Sequence, residues 1–273
     1  MTLQYTRISV NGVALNVGVG GPADGPAVLL IHGFPDDHQV WRHQWPALIA
    51  AGYRVIAPDL RGCGDSDMPA PVRAYRVQAL LADLIGVLDA LGVAQARVVG
   101  HDWGAAIGWQ LAIHHPQRVE RYAALSVGHP SAYTRASWRQ KLKGWYTLMF
   151  QLRGLTEALL KAGDWAFMRA FTQEPVEAPR WIARLSRPGR LTAALNIYRA
   201  NVRMVLPADY PPVRVPVLGV WSSGDRFLSQ DQMTDSAAYM AAPWRYEQID
   251  GVSHWMTVNA VDRVNALLLD YLR

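Results

Sequence analysis

The chain has 273 residues, of which 51% are apolar and 18% charged, so it has material for a sizeable core and none of the composition of a disordered chain. No apolar run approaches the roughly 20 residues of a membrane helix, and the first dozen residues alternate like a strand instead of forming a secretory signal. The single cysteine, Cys63, excludes an internal disulfide. Together these features predict a cytoplasmic protein. The net charge of +5 raises the question of nucleic acid. Its cations, however, fall at helical spacing (Arg135, Arg139, Lys143; Arg180, Arg184, Arg187), as on solvated outer helix faces, and no nucleic-acid or membrane partner is expected.

In chain order, alternating segments at 4–10 and 14–19 meet at Asn11-Gly12, a hairpin signal. Short buried runs follow at 27–32, 53–57, 96–100, 122–127, 216–221 and 245–249, read as strands covered on both faces. Amphipathic stretches at 40–51, 75–91, 105–114, 230–240 and 258–272 lie between them. Strand alternating with helix predicts an α/β fold: a mostly parallel sheet of about eight strands, flanked by helices. The alternation lapses over 131–212, where thirteen Lys/Arg face five Asp/Glu and four tryptophans occur. That stretch is predicted to be a helical cap, or lid, inserted into a core formed by 1–130 and 213–273.

The strongest chemical signal is Gly100-His101-Asp102-Trp103-Gly104, which joins a buried strand directly to a helix. The turn is that of a nucleophile elbow, with a carboxylate where serine often stands. Such a turn is so tight that side chains at its two outer positions would meet neighbouring backbone. A carboxylate at the start of a helix stays ionised and needs no base to activate it. His32-Gly33-Phe34-Pro35 follows an earlier strand, and its Phe34 N–H, paired with that of Trp103, is predicted to form an oxyanion hole. Asp225 ends a late strand and His254 follows the last one. Nucleophile, acid and histidine thus occur in the order an elbow enzyme requires, each at the carboxyl edge of the sheet. His101 reads as a packing residue, and the remaining histidines show no metal-ligand spacing. No metal or organic cofactor is expected.

These motifs, together with Ala57-Pro-Asp-Leu-Arg-Gly-Cys-Gly-Asp-Ser66 and His115-Pro-Gln-Arg-Val119, resemble the α/β-hydrolase superfamily over nearly the whole length, and within it the epoxide hydrolases. The aspartate elbow followed by tryptophan is shared with haloalkane dehalogenases. The resemblance to epoxide hydrolases extends to two lid tyrosines that hydrogen-bond the epoxide oxygen. Tyr146 precedes Phe150-Gln151 by four residues, and Tyr198 lies in Asn196-Ile-Tyr198-Arg199. The family often continues Phe-Gln with Glu-Pro-Gly, where this chain has Leu152-Arg153-Gly154. The resemblance implies hydrolysis of a small lipophilic epoxide to a vicinal diol through an aspartyl ester at Asp102, with His254 and Asp225 driving ester hydrolysis. A monomer or homodimer is expected. Trp103, Met149 and Phe150 are expected to bind substrate, and Trp138, Trp145, Leu148, Trp165 and Phe167 to contribute to an apolar pocket. The alternative is a haloalkane dehalogenase, in which Trp103 would hold the leaving halide; Phe34 offers that reaction no second side-chain donor.

Overall fold

The computed structural model describes residues 2–273. Eight strands form one sheet: β1 (Gln4–Val10), β2 (Val13–Gly20), β3 (Ala27–Ile31), β4 (Arg54–Pro58), β5 (Ala96–His101), β6 (Val119–Leu125), β7 (Val217–Ser222) and β8 (Trp244–Ile249). Their spatial order is β1-β2-β4-β3-β5-β6-β7-β8. The first two make an antiparallel hairpin, closed by Asn11 and Gly12 at positive φ; β2 also pairs antiparallel with β4, and the remaining pairings, from β4–β3 to β7–β8, are parallel. The central strands are Val-, Leu- and Ala-rich and buried along their length, because helices cover both faces.

Those helices are α1 (Trp45–Ala50), α2 (Val77–Ala90), α3 (Trp103–His114) and, late in the chain, α10 (Gln230–Thr234), α11 (Met256–Asn259) and α12 (Val261–Tyr271). Between β6 and β7 lie six more: α4 (Pro130–Arg135), α5 (Trp138–Lys143), α6 (Tyr146–Met149), α7 (Leu155–Thr172), α8 (Ala178–Leu185) and α9 (Arg190–Ala200). Helix α7 breaks at 162–165, where Gly163, Asp164 and Trp165 take positive φ. Several expected helices are shorter or divided. The stretch 40–51 splits into a 3-10 turn and α1, which starts at the proline Pro46 and its neighbour, where a missing N–H costs nothing. The run 230–240 tightens after Thr234 into a 3-10 turn, and 258–272 divides at Ala260.

A buried carboxylate ties the hairpin to the loops that carry the site. Asp59 accepts hydrogen bonds from Asn16 Nδ2 (2.8 Å), Asp65 N (3.0 Å), His38 N (2.9 Å) and His38 Nδ1 (2.7 Å). His38 and Asp59 lie with Asp37 close enough to share a cation. The Asp59 oxygens are already taken by these donors, so the group is a structural knot and not a candidate metal centre.

Candidate active site

Asp102 sits between β5 and α3 with φ 54° and ψ −123°, a backbone conformation that a non-glycine residue adopts only under constraint. Sterics supply that constraint. A Cβ at Gly104 would overlap the Ile31 carbonyl, one at Gly100 would overlap Gly104 itself, and one at Gly33 would fall on the Asp102 carboxylate. All three positions therefore need glycine for close approach of backbone. Asp102 makes no side-chain capping bond to α3. Instead its Oδ1 accepts the Phe34 N–H at 2.7 Å, leaving Oδ2 facing His254 Nε2 at 3.6 Å. Trp103 opens α3, where the first N–H groups have no partner within the helix. Burial opposes charge on Asp102, but His254, His101 and the Phe34 N–H hold its carboxyl below the usual range.

His254 Nδ1 lies 2.7 Å from Asp225 Oδ2, and Asp225 Oδ1 accepts the N–H groups of Phe227 (2.8 Å) and Leu228 (2.9 Å). The acid is thus fixed by its own loop and fixes the ring in turn. Burial disfavours the imidazolium, yet the Asp225 and Asp102 carboxylates outweigh it and push His254 up to about 10. His101 packs against His254 and bonds its carbonyl at 2.9 Å; burial, then His254, push His101 down to about 4. That neutral, enclosed ring is the packing residue its position suggested.

The helical insert brings Tyr146 and Tyr198 to the same cleft as Asp102, their rings 6.1 Å apart and nearly perpendicular. Burial raises both phenols well above the ordinary value; Tyr133 and Asp102 add to this at Tyr146, and Asp102 at Tyr198. Both therefore stay protonated and able to donate. The residues around them act as ties. Gln151 Nε2 donates to the carbonyls of Thr147 (2.9 Å) and Tyr198 (3.3 Å), linking α6 to α9. Arg199 grips Glu157 with both terminal nitrogens (2.8 and 2.9 Å) and the Phe150 carbonyl with Nε (3.0 Å). Asn201 Nδ2 donates to Tyr75 O and Ile197 O and its Oδ1 accepts Val77 N, each at 2.8 Å, anchoring α9 to α2.

Two cavities meet at Asp102, Tyr146 and Tyr198. The larger is walled by Trp103, Tyr133, Val202, Met204, Val205 and Leu228. The smaller, about 270 Å³, is walled by Phe34, Phe171, Phe227, His254 and Trp255. Trp103 is a wall as expected. Met149 and Phe150 are not. Phe150 is wholly buried, edge-on to Phe34 (5.6 Å), Tyr146 (5.5 Å) and Tyr198 (4.8 Å), and so supports the tyrosines from behind. Met149 is half-buried and packs on the core outside both cavities. The expected apolar stripe is also corrected in part: Trp165 is buried away from the cavities, while Trp138, Trp145 and Leu148 face outward. Tyr133, Phe171, Phe227 and Trp255 went unnoticed in the sequence. For Phe227 and Trp255 the signal was adjacency to Asp225 and His254.

Asp36, next to the Phe34-Pro35 pair, is buried between Trp181 Nε1 (2.7 Å) and Trp255 Nε1 (3.0 Å), and burial pushes its carboxyl up to about 8 despite them. It joins the insert to the loop of His254. Helix α5 does the same for the acid: Gln140 bonds Phe227 O (3.1 Å) and Ser229 N (2.7 Å), and Lys143 Nζ donates to the Asp225 and Leu228 carbonyls.

Comparison with known proteins bears on this arrangement. The family model of the alpha/beta hydrolase fold matches residues 26–260. A Bacillus subtilis protein named as a member of the AB hydrolase superfamily is 36% identical, over 97% of this chain and 96% of its own. Epoxide hydrolase A of Mycobacterium tuberculosis is 32% identical, over 97% of this chain and 96% of its own. Epoxide hydrolase 3 of Xenopus tropicalis is also 32% identical, over 98% of this chain and 77% of its own. Among solved structures, epoxide hydrolase A from Mycobacterium thermoresistibile superposes with a TM-score of 0.85 at 30% identity, covering 100% of this chain and 98% of that one.

Proposed function

Since the chain belongs to the epoxide hydrolase family of the α/β-hydrolase superfamily, we propose that it opens a small lipophilic epoxide to a vicinal diol through an ester on Asp102. The observation that carries the reading is the meeting of a carboxylate nucleophile with two un-ionised tyrosines in one apolar cleft. Asp102 Oδ2 attacks a ring carbon; a carbon–oxygen bond to the enzyme forms as the ring bond breaks. Tyr146 and Tyr198 donate to the ring oxygen, and those bonds strengthen as charge develops there. The oxygen ends as a hydroxyl, its proton delivered through a tyrosine and made good from His254.

Esterification removes the Asp102 charge, and with it one of the two carboxylates that hold a proton on His254. The ring is thereby freed to act as a base on the second step, with Asp225 still orienting it. Water gives one proton to His254 and attacks Cγ of Asp102, the oxyanion rests against the N–H groups of Phe34 and Trp103, and the ester C–O bond breaks as the remaining hydroxyl proton passes to the departing alkoxide, releasing the diol and restoring the Asp102 carboxylate. The six-helix insert serves as the lid, and it gives the ring oxygen its donors. The haloalkane alternative lacks a donor where it needs one, since the Phe34 ring is packed edge-on to Phe150 and Tyr198.

The test is a trapped intermediate. His254→Gln incubated with styrene oxide should gain the mass of one epoxide on the Asp102 peptide while steady turnover is lost. Turnover without an adduct overturns the assignment. Bromide released from 1-bromobutane, with no diol from styrene oxide, would move the chain to the haloalkane reaction.

A further inference from the structure

We propose that the outer face of the insert, around Trp138, Leu142, Trp145, Leu148 and Leu152, docks on an anionic lipid surface. These residues were expected in part to wall a pocket. Instead Trp138 is 67% exposed, Leu148 65% and Leu142 62%. They recur every three or four residues across α5, α6 and the turn that follows, so they form one ridge along successive helical turns. A soluble surface seldom leaves so many large apolar side chains together, and such a patch marks a protein or a membrane contact.

Charge decides which. Arg139, Lys141 and Arg153 are exposed along the same stretch, and among the described residues none forms an ion pair. Residues 138–153 hold no Asp or Glu, and the next acid along the chain, Glu157, is turned inward onto Arg199. A second copy laid face to face would set these cations against their own images, whereas an anionic bilayer is complementary to them. Tryptophans among basic residues are what an interfacial face carries. No helix among the described residues is long and apolar enough to cross a membrane, so the contact is docking and not spanning.

A groove continues the ridge inward. It is lined by Leu142, Trp145, Phe167, Phe171 and Phe227. Phe171 and Phe227 also wall the smaller cavity beside Asp102 and His254. Two phenylalanine rings 5.1 Å apart thus separate a lipid-facing groove from the catalytic cleft, and a lipophilic molecule dissolved in the bilayer would meet them first. That delivery step alone rests on the reaction proposed above; docking does not.

Co-sedimentation with phosphatidylcholine vesicles, with and without about a third phosphatidylglycerol, tests the proposal. The protein should bind the anionic vesicles, leave the neutral ones, and be released by salt. Trp138→Ser with Leu148→Ser should weaken binding by about tenfold or more, with hydrolysis of a water-soluble epoxide unchanged. Lys141→Glu with Arg153→Glu, both exposed positions, should weaken it by about fivefold per charge removed, and carries the test if the apolar variant folds poorly. Absence of binding, or equal binding to both vesicles, overturns the proposal. So does a wild-type dimer in sedimentation velocity that Trp138→Ser turns into a monomer, since the ridge would then be a protein interface. A result of either kind leaves turnover of styrene oxide, and hence the reaction, as it was.

Discussion

Asp102, Asp225 and His254 come from three loops at the carboxyl ends of parallel strands, whereas Tyr146 and Tyr198 come from two separate helices of the insert. The first set is held by backbone. Three glycines leave Asp102 no other position, the Phe34 N–H fixes its carboxylate, and Asp225 is anchored by amides of its own loop. The second set is held by side chains: Gln151 bridging α6 to α9, Arg199 gripping Glu157, and Phe150 behind both rings. Backbone-held geometry tolerates little change and fails abruptly. Side-chain-held geometry degrades by steps.

The largest effect expected belongs to the strand half. Asp102→Ala should lower hydrolysis by about 10⁴-fold or more, in a protein whose thermal melt is unchanged. Surviving turnover would mean that the two halves share the chemistry differently. Gly104→Ala should cost about 4 kcal/mol or prevent folding, read by chemical denaturation, because its Cβ has no room against the Ile31 carbonyl. Tyr198→Phe and Tyr146→Phe should each reduce single-turnover ring opening by about 10²–10³-fold, with the double variant short of the product of the two. Phe150→Ala should cost about 3 kcal/mol in a denaturation curve and also lower ring opening, though Phe150 borders neither cavity. A stability loss without a rate loss would show that the tyrosines hold themselves.

The last effect concerns pH. His254 has its folded pKa raised from 6.5 to about 10. A raised value means stability that is full below 6.5 and lost as pH rises through about 10. The melting temperature should therefore decline across that window in the wild type, and decline less in His254→Gln. An equal decline in both would assign the loss to other groups.

The same division explains what the sequence could disclose. Gly100-His-Asp-Trp-Gly104 is a local motif whose constraint acts within a few residues, Asp225 follows a strand that its own Val- and Leu-rich run announces, and His254 follows the short last strand ending at Ile249. Tyr146 and Tyr198 were reached through their neighbours Phe150-Gln151 and Arg199, which turn out to be the ties between the helices. What periodicity does not reveal is which apolar side of a short helix turns inward. Met149, Phe150, Trp138 and Leu148 were therefore placed at the pocket, while Tyr133 and Phe171 were passed over. Helix ends were misjudged for a related reason: Pro46, Arg76 and Ala260 interrupt runs whose apolar spacing continues past them.

The insert leaves the sheet after β6 and returns at β7, two strands that pair in parallel register from Tyr122 with Val217 to Leu125 with Val220. Because the strands are parallel, the chain leaves at the carboxyl end of β6, opposite Val220, and re-enters at the amino end of β7, opposite Tyr122, so the joints lie on neighbouring strands about 11 Å apart. A segment joined at two points on neighbouring strands resembles a cassette in a socket. Its replacement by another helical segment alters loop closure only weakly with length, and the contacts that fix Asp102, from Gly33, Gly104 and the Phe34 N–H, come from the core and not from the insert. Substrate range can then diversify by exchange of a whole module, while the elbow beneath it is inherited intact.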